Sequence, residues 1–265
     1  MIHWNVTPEL FSVGPLTVRW YGLFFVLTFL FGFLVLRWMF RSEGRPEGEA
    51  DQLLNYMVLG TVVGARLGHC LLYDPAYYLS HPIEIVMVWK GGLASHGAAA
   101  GILVALYIYS RGRSDSSCLW VLDRVAVPSM IAGFCVRMGN LFNSEIIGTP
   151  TDLPWAFVFE RVDSVPRHPT QLYEAIAYGI VFFLLLTVYR RSVGDVAPGR
   201  LIGLLLVTVF TFRFAIETVK VRQAAYGHDM ALTVGQLLSI PLVVGGAWLL
   251  ARSFGRDHPR ASERG

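Results

Sequence analysis

Charge is what this 265-residue chain has least of: Asp, Glu, Lys and Arg supply 15% of its residues, against about 25% in an ordinary globular domain. With 54% hydrophobic residues and a positive mean hydropathy, that shortage excludes a soluble domain and points to an integral membrane protein. The net charge of +3 is too small to argue for a nucleic-acid partner. Cysteine is scarce too. Cys70, Cys118 and Cys135 are odd in number, lie in or beside apolar segments and show neither Cys-x-x-Cys nor metal-ligand spacing; they read as small core hydrophobes. No basic stretch precedes the first apolar run, which Arg19 opens instead, and this argues against a cleaved signal peptide. The chain has no separate soluble domain, no convincing internal repeat and no low-complexity segment beyond a basic tail, 253–265, expected to be disordered.

What the chain does have is long apolar runs. A helix crosses a bilayer with roughly 17–25 apolar residues, and such segments occur near 17–37, 53–73, 93–110, 119–137, 172–189, 201–219 and 233–251. The expected fold is an all-α polytopic membrane protein, with seven transmembrane helices in residues 1–252. Basic residues alternate between the links. Arg37, Arg41 and Arg45 follow the first span, Arg111 and Arg113 the third, Arg190, Arg191 and Arg200 the fifth, and Arg252, Arg256, Arg260 and Arg264 lie in the tail. Residues 1–18 carry no Lys or Arg, and the link after the second span carries only Lys90. The positive-inside rule then puts the N-terminus outside and the C-terminus in the cytoplasm. The longest link, about 142–171, falls outside and forms a small outer-side head after the fourth helix. Gly60, Gly64 and Gly68, and then Gly97 and Gly101, permit close helix contact.

Polar residues within this apolar frame are the functional candidates, since membrane-embedded charge must pair or line a cavity. Arg137, Gly139, Asn140, Asn143, Ser144 and Glu145 close the fourth span. Arg137 and Asn140 are three apart, as are Asn140 and Asn143, so helical backbone places them on one face. Weak helix formers over 139–144 predict that the helix loosens there. A polar helix end that only snorkels to the interface is the plainer alternative. Tyr21 suits the interfacial aromatic belt or a site. Arg66 needs a partner or a cavity. His96 is open between a packing residue and a proton acceptor, a role that suits histidine as a residue type. Arg213 and Glu217, four apart in the sixth span, suit a structural ion pair. His168, Gln171, Tyr173 and Glu174 surround the start of the fifth helix, where Pro169 and Thr170 fit its first positions. Arg137, with Arg213, suits a phosphate, because a guanidinium grips phosphate oxygens bidentately and stays charged. In a membrane that ligand is a phospholipid headgroup in the outer leaflet.

These motifs together resemble the prolipoprotein diacylglyceryl transferase family. The resemblance runs from Val18-Arg19-Trp20-Tyr21-Gly22 to Gly235-Gln236-Leu237-Leu238-Ser239-Ile240-Pro241. Its most specific stretch is Gly-Arg-x-Gly-Asn-x-x-Asn-x-Glu-x-x-Gly, met here by Arg137, Gly139, Asn140, Asn143, Glu145 and Gly148. Supporting matches are Gly-Gly-Leu-Ala-Ser-His96-Gly, the run Arg167 to Glu174, and Arg213 with Glu217. The resemblance implies a bacterial enzyme of the cytoplasmic (inner) membrane. It would transfer the diacylglyceryl group of phosphatidylglycerol to the lipobox cysteine of a preprolipoprotein, forming a thioether and releasing glycerol phosphate, with no metal or dissociable cofactor. It makes Arg137 the donor-binding arginine and Arg213 a second essential one. His96 and Tyr21 join them as catalytic candidates. Asn140, Asn143, Glu145, Gly148, Arg66, His168, Gln171, Tyr173, Glu174 and Glu217 are substrate-binding candidates.

Three positions depart from the family pattern. Val136 stands where relatives usually carry Gly. The stretch Lys220-Val-Arg222-Gln-Ala-Ala lacks the Pro-Asp pair common there. His69 stands where an aromatic is frequent. The rival reading is a multi-span lipid or anion transporter, which would carry inverted repeats and broken helices in both halves. The sequence shows neither.

Overall fold

A computed structural model describes residues 1–113, 115–193, 195–221 and 231–255. Among them, seven helices have 17 or more residues: α1 (Trp20–Ser42), α2 (Glu49–Leu72), α5 (Ser95–Arg111), α6 (Cys118–Phe142), α7 (Thr170–Arg191), α8 (Arg200–Ile216) and α9 (Val234–Phe254). Two short helices, α3 (Pro75–Ser80) and α4 (Pro82–Ile85), lie between α2 and α5. Five helices (α1, α6, α7, α8 with its 3-10 extension, and α9) are long and apolar enough to cross a membrane. The chain is therefore a mostly helical, polytopic membrane protein. The other two long helices have physical reasons for falling outside that set. Seventeen residues of α5 reach about 26 Å at ~1.5 Å per residue, short of a hydrocarbon core of about 30 Å. The first turn of α2 carries Glu49 and Asp51, and its interior carries Arg66.

The all-α expectation needs one correction: two small sheets are present. β1 (Ile2–Trp4) runs parallel to β4 (Phe157–Phe159), and β4 pairs antiparallel with β5 (Pro166–Arg167). β2 (Glu9–Val13) and β3 (Leu16–Arg19) form a hairpin that leads straight into α1. Strands of two to five residues are too short for an alternating pattern to register against helical runs.

The chain divides into two compact units, Met1–Leu36 with Asp123–Gly265, and Arg37–Leu122. In the first unit the N-terminal strand and the 142–171 link share one sheet. Leu141, Phe157 and Phe159 form a small core with Trp4, Met138, Ile147 and Leu172 against it. The Trp4 indole donates to the Leu141 carbonyl at 3.0 Å, pinning this sheet to the end of α6. Fully buried Asp123 accepts from the Gly199 and Ile202 amides at 2.7 and 2.9 Å. It thereby caps the start of α8 from a neighbouring helix, satisfying donors that a helix N-terminus leaves open. α9 begins with a reciprocal cap between Thr233 and Gln236. It is still helical at Phe254, with Ser253 buried. The remainder of the basic tail, 256–265, lies outside the described residues.

In the second unit, glycine makes the contact between α2 and α5. A Cβ on Gly64 would sit 2.3 Å from the Gly97 carbonyl oxygen, and one on Gly101 would sit 2.1 Å from the Gly60 oxygen. Only hydrogen fits there, as close backbone approach between helices requires. Buried Glu49 accepts from Arg45 Nε at 2.9 Å and from Arg113 Nη1 at 2.8 Å. The arginines that follow the first and third spans are thus joined through one carboxylate.

Candidate active site at the ends of three helices

The end of α6, the start of α7 and the end of α8 place a charged cluster within the first unit. Arg137 Nε lies 2.9 Å from Glu174 Oε2, with side chains 12% and 1% exposed. Lys220 Nζ reaches Glu174 Oε1 at 2.8 Å and Glu217 Oε2 at 3.9 Å. Arg137 Nη1 donates to Asn140 Oδ1 at 3.2 Å, so the expected common face of these two residues is real. Lys220 sits just past the Arg200–Val219 span. Burial pulls its ammonium below the ordinary lysine range, and the neighbouring Glu174 carboxylate opposes that shift.

The loop after α6 is built around this cluster. The helix does not loosen at 139–142 as expected; it stays regular to Phe142. Packing overrides the weak propensity of Gly139 and Asn140: Gly139 takes the Tyr21 ring so closely that a Cβ would meet its Cδ2 at 2.7 Å. The turn comes immediately afterwards, where Ser144 and Ile146 adopt positive φ of 55° and 58°. For a β-branched residue this is a strained conformation. The first turn of α7 holds it in place. Thr170 Oγ1 donates to the Ile146 carbonyl at 2.8 Å, and Gln171 Nε2 to the Glu145 carbonyl at 2.7 Å. Asn143 Nδ2 donates to Glu145 Oε1 at 2.7 Å. Gly148 forms an antiparallel bridge with Lys220, and a Cβ on it would meet the His168 Cβ at 2.5 Å and the Val219 carbonyl oxygen at 2.8 Å. The Trp155 indole donates to the Tyr173 hydroxyl at 2.8 Å, and His168 Nδ1 lies 3.3 Å from the same hydroxyl.

Arg213 and Glu217 do not pair. The backbone at Ile216 and Glu217 is still right-handed helical, but the Glu217 carboxylate turns towards Lys220, with Nζ 3.9 Å from Oε2. It also lies against Gly235, where a Cβ would be 2.6 Å away. Arg213 occupies the last turn of α8, partly exposed. Among the described residues, no side-chain hydrogen bond or ion pair holds it.

Two candidates belong to the second unit. Arg66 is 3% exposed. Its guanidinium donates to the carbonyls of Ile85 at 2.9 Å, Gly91 at 2.5 Å, Gly92 at 3.2 Å and Glu84 at 2.5 Å, and lies over the Tyr78 ring. With those donors engaged, it latches the 84–92 segment. His96 is an exposed residue in the first turn of α5. The residue that motif reasoning left out of the site is Lys220. Its one sequence signal is a cation directly after a long apolar span. Its neighbour Arg222, part of the same departure from the family pattern, lies outside the described residues. Among the described residues, no group of three or more His, Cys, Asp and Glu could hold a metal ion.

Comparison with known proteins agrees with this arrangement of motifs. The family model for prolipoprotein diacylglyceryl transferase matches residues 8–252. A protein of Chloroherpeton thalassium named phosphatidylglycerol--prolipoprotein diacylglyceryl transferase is 53% identical over 252 residues, covering 95% of this chain and 94% of its own. Proteins of the same name from Tolumonas auensis and Bacteroides fragilis are 47% and 42% identical, covering 96% and 94% of this chain and 98% and 94% of theirs. The chain belongs to the prolipoprotein diacylglyceryl transferase family.

Proposed function

We propose that the protein transfers the diacylglyceryl group of phosphatidylglycerol to the lipobox cysteine of preprolipoproteins. The relatives' names supply the donor and the class of acceptor. The observation that carries the reading is Arg137: a nearly buried guanidinium with a carboxylate oxygen 2.9 Å from its Nε. Its Nη edge, with one bond to Asn140, suits a phosphate.

The chemistry accounts for the need for cations. The acceptor sulfur, as thiolate, attacks the glyceryl carbon bonded to the phosphate oxygen. A carbon–sulfur bond forms, the carbon–oxygen bond breaks, and its electron pair leaves with the oxygen as glycerol phosphate. The diester's single negative charge becomes the double charge of a monoester, and the thiol proton passes to a base. Arginine at the departing phosphate stabilises charge that grows in the transition state, and the same field favours the thiolate, the reactive form of cysteine. Arg137 is the main electrostatic element, Arg213 is the second cation, and His96 is the candidate base.

For topology, we propose seven spans, with α2 and α5 crossing in addition to the five apolar helices. The N-terminus and the 142–171 head are outside, and the C-terminus is in the cytoplasm of a bacterial inner membrane. The pairing of β1 with β4 supports a common side for the first two, and the Lys/Arg asymmetry supports the direction. The test is incubation of the purified protein with phosphatidylglycerol and a lipobox peptide. A peptide mass increased by one diacylglyceryl group is expected. Movement of lipid between leaflets with no thioether product would favour the transporter reading instead.

A further inference from the structure

Glu174 has a cation on each oxygen: Arg137 Nε at 2.9 Å from Oε2 and Lys220 Nζ at 2.8 Å from Oε1. The lysine is held there by its backbone. Thr149 donates to the Val219 carbonyl at 2.8 Å, Val221 donates to the Ile147 carbonyl at 3.4 Å, and Lys220 bridges Gly148 between them. Its side chain is 8% exposed. A guanidinium grips a carboxylate best through two parallel N–H bonds. That grip is absent here, because the oxygen it would use faces Lys220. The remaining Nε contact is not aligned as a hydrogen bond, since Glu174 Oε2 has no such partner; the attraction there is Coulombic.

We propose that Lys220 is a positioning residue of the donor site: by occupying one oxygen of Glu174, it keeps that carboxylate from closing on the Arg137 fork, and so leaves the fork open for the phosphate of an anionic lipid. The inference rests on Arg137 as the phosphate ligand. Charge balance points the same way: Arg137 and Lys220 offset the two carboxylates Glu174 and Glu217, and without Lys220 the cluster would carry a net negative charge that opposes an anion. Lys220 acts through Glu174 and need not touch the lipid.

The experiment measures initial rates of thioether formation by the full-length protein, varying phosphatidylglycerol in mixed micelles and then the lipobox peptide. Lys220→Met should raise KM for the lipid by about tenfold or more, the scale of one charge-assisted hydrogen bond, while KM for the peptide stays put. Glu174→Gln combined with Lys220→Met should recover most of that loss. Glutamine carries no charge with which to capture the fork. A lysine needed only to fill space would give no recovery. An unchanged lipid KM in Lys220→Met, or a double variant no better than the single one, overturns the proposal. If Lys220→Met does not fold, the double variant decides: near-normal lipid KM supports the charge argument, and failure to fold makes Lys220 a scaffold residue. A wild-type protein that makes no thioether at all overturns the transferase reading itself.

Discussion

Gly148→Ala puts the least possible mass where the site has no room for it. The added Cβ would lie 2.5 Å from the His168 Cβ, 2.6 Å from the His168 carbonyl oxygen and 2.8 Å from the Val219 carbonyl oxygen. Ordinary contact begins near 3.4 Å, so the two oxygens must retreat by about 0.8 and 0.6 Å, and overpacking of this kind costs about 1–3 kcal/mol. No rotamer change relieves it, because two of the obstacles are backbone oxygens of two different segments. One precedes α7, which carries Glu174, and the other precedes Lys220. The methyl therefore pries apart the two segments that carry Glu174 and Lys220. A displacement approaching 1 Å at a reacting centre costs roughly 100-fold in rate, so turnover should fall by about 10- to 100-fold. The control is Gly179→Ala, in mid-α7, where no atom lies within 4 Å of the new Cβ. Alanine there should raise stability by roughly 0.5–1 kcal/mol and leave turnover intact. The assay is thioether formation beside thermal unfolding in detergent. Wild-type turnover in Gly148→Ala would refute the argument that this bridge sets the geometry of the cluster.

Arg137→Lys keeps the charge and loses the planar fork, so it should lose activity nearly as fully as Arg137→Ala; a lysine variant with normal turnover and lipid affinity sinks the fork argument. His96→Gln distinguishes a base from a packing residue: single-turnover rates should drop while donor lipid still binds, and an unchanged rate and pH profile would remove His96 from the mechanism. A single cysteine at Asp152 should be labelled from the outer side, whereas cytoplasmic labelling would invert the topology. The Arg167 guanidinium bonded to Asp163 holds that carboxyl below the usual carboxylate range. Its contribution is thus complete above the unfolded value of about 3.9 and lost as pH falls through the lower folded value. Protection of the Val165 amide, which donates to Asp163 at 3.0 Å, taken relative to its intrinsic exchange rate, should stay flat down to about pH 4 and fall below it; equal protection in Asp163→Asn at every pH would discount the pair.

Much of the fold was legible because hydrophobic length carries it. The run expected at 172–189 is a helix over Thr170–Arg191, and the one at 233–251 is a helix over Val234–Phe254. The start of α7 was readable from Pro169 and Thr170, although Thr170 serves as a brace for Ile146 and not as a cap. The head was less legible. Its sheet joins Ile2 to Phe157, with the whole of the second unit between them in sequence, and no local pattern announces a pairing at that separation. Glu217 misled because spacing alone does not choose a partner: its backbone stays helical, but its carboxylate lies against Lys220 and Gly235. Lys220 was visible only as a cation after a long apolar span, because its role depends on Glu174, which is 46 residues away and buried.

The bend at 143–148 concentrates two kinds of cost. Ser144 and Ile146 are held at positive φ. Asn143 Oδ1, Ser144 Oγ and Gln171 Oε1 are buried with no hydrogen-bond partner among the described residues. Strain of this sort runs to about 1–3 kcal/mol per residue, and a buried unsatisfied polar group to a similar amount. A chain needing only to link two spanning helices could use a glycine-rich turn open to water. Here the bend is over-determined by Thr170, Gln171 and Trp4, which makes the geometry itself the thing maintained. The signature residues share that work: Gly139 admits the Tyr21 ring, Asn140 holds one Arg137 nitrogen, Asn143 orients Glu145, and Gly148 admits the strand that delivers Lys220. The motif therefore encodes a shape as much as a set of reactive groups. Its glycines should tolerate substitution as poorly as its arginine.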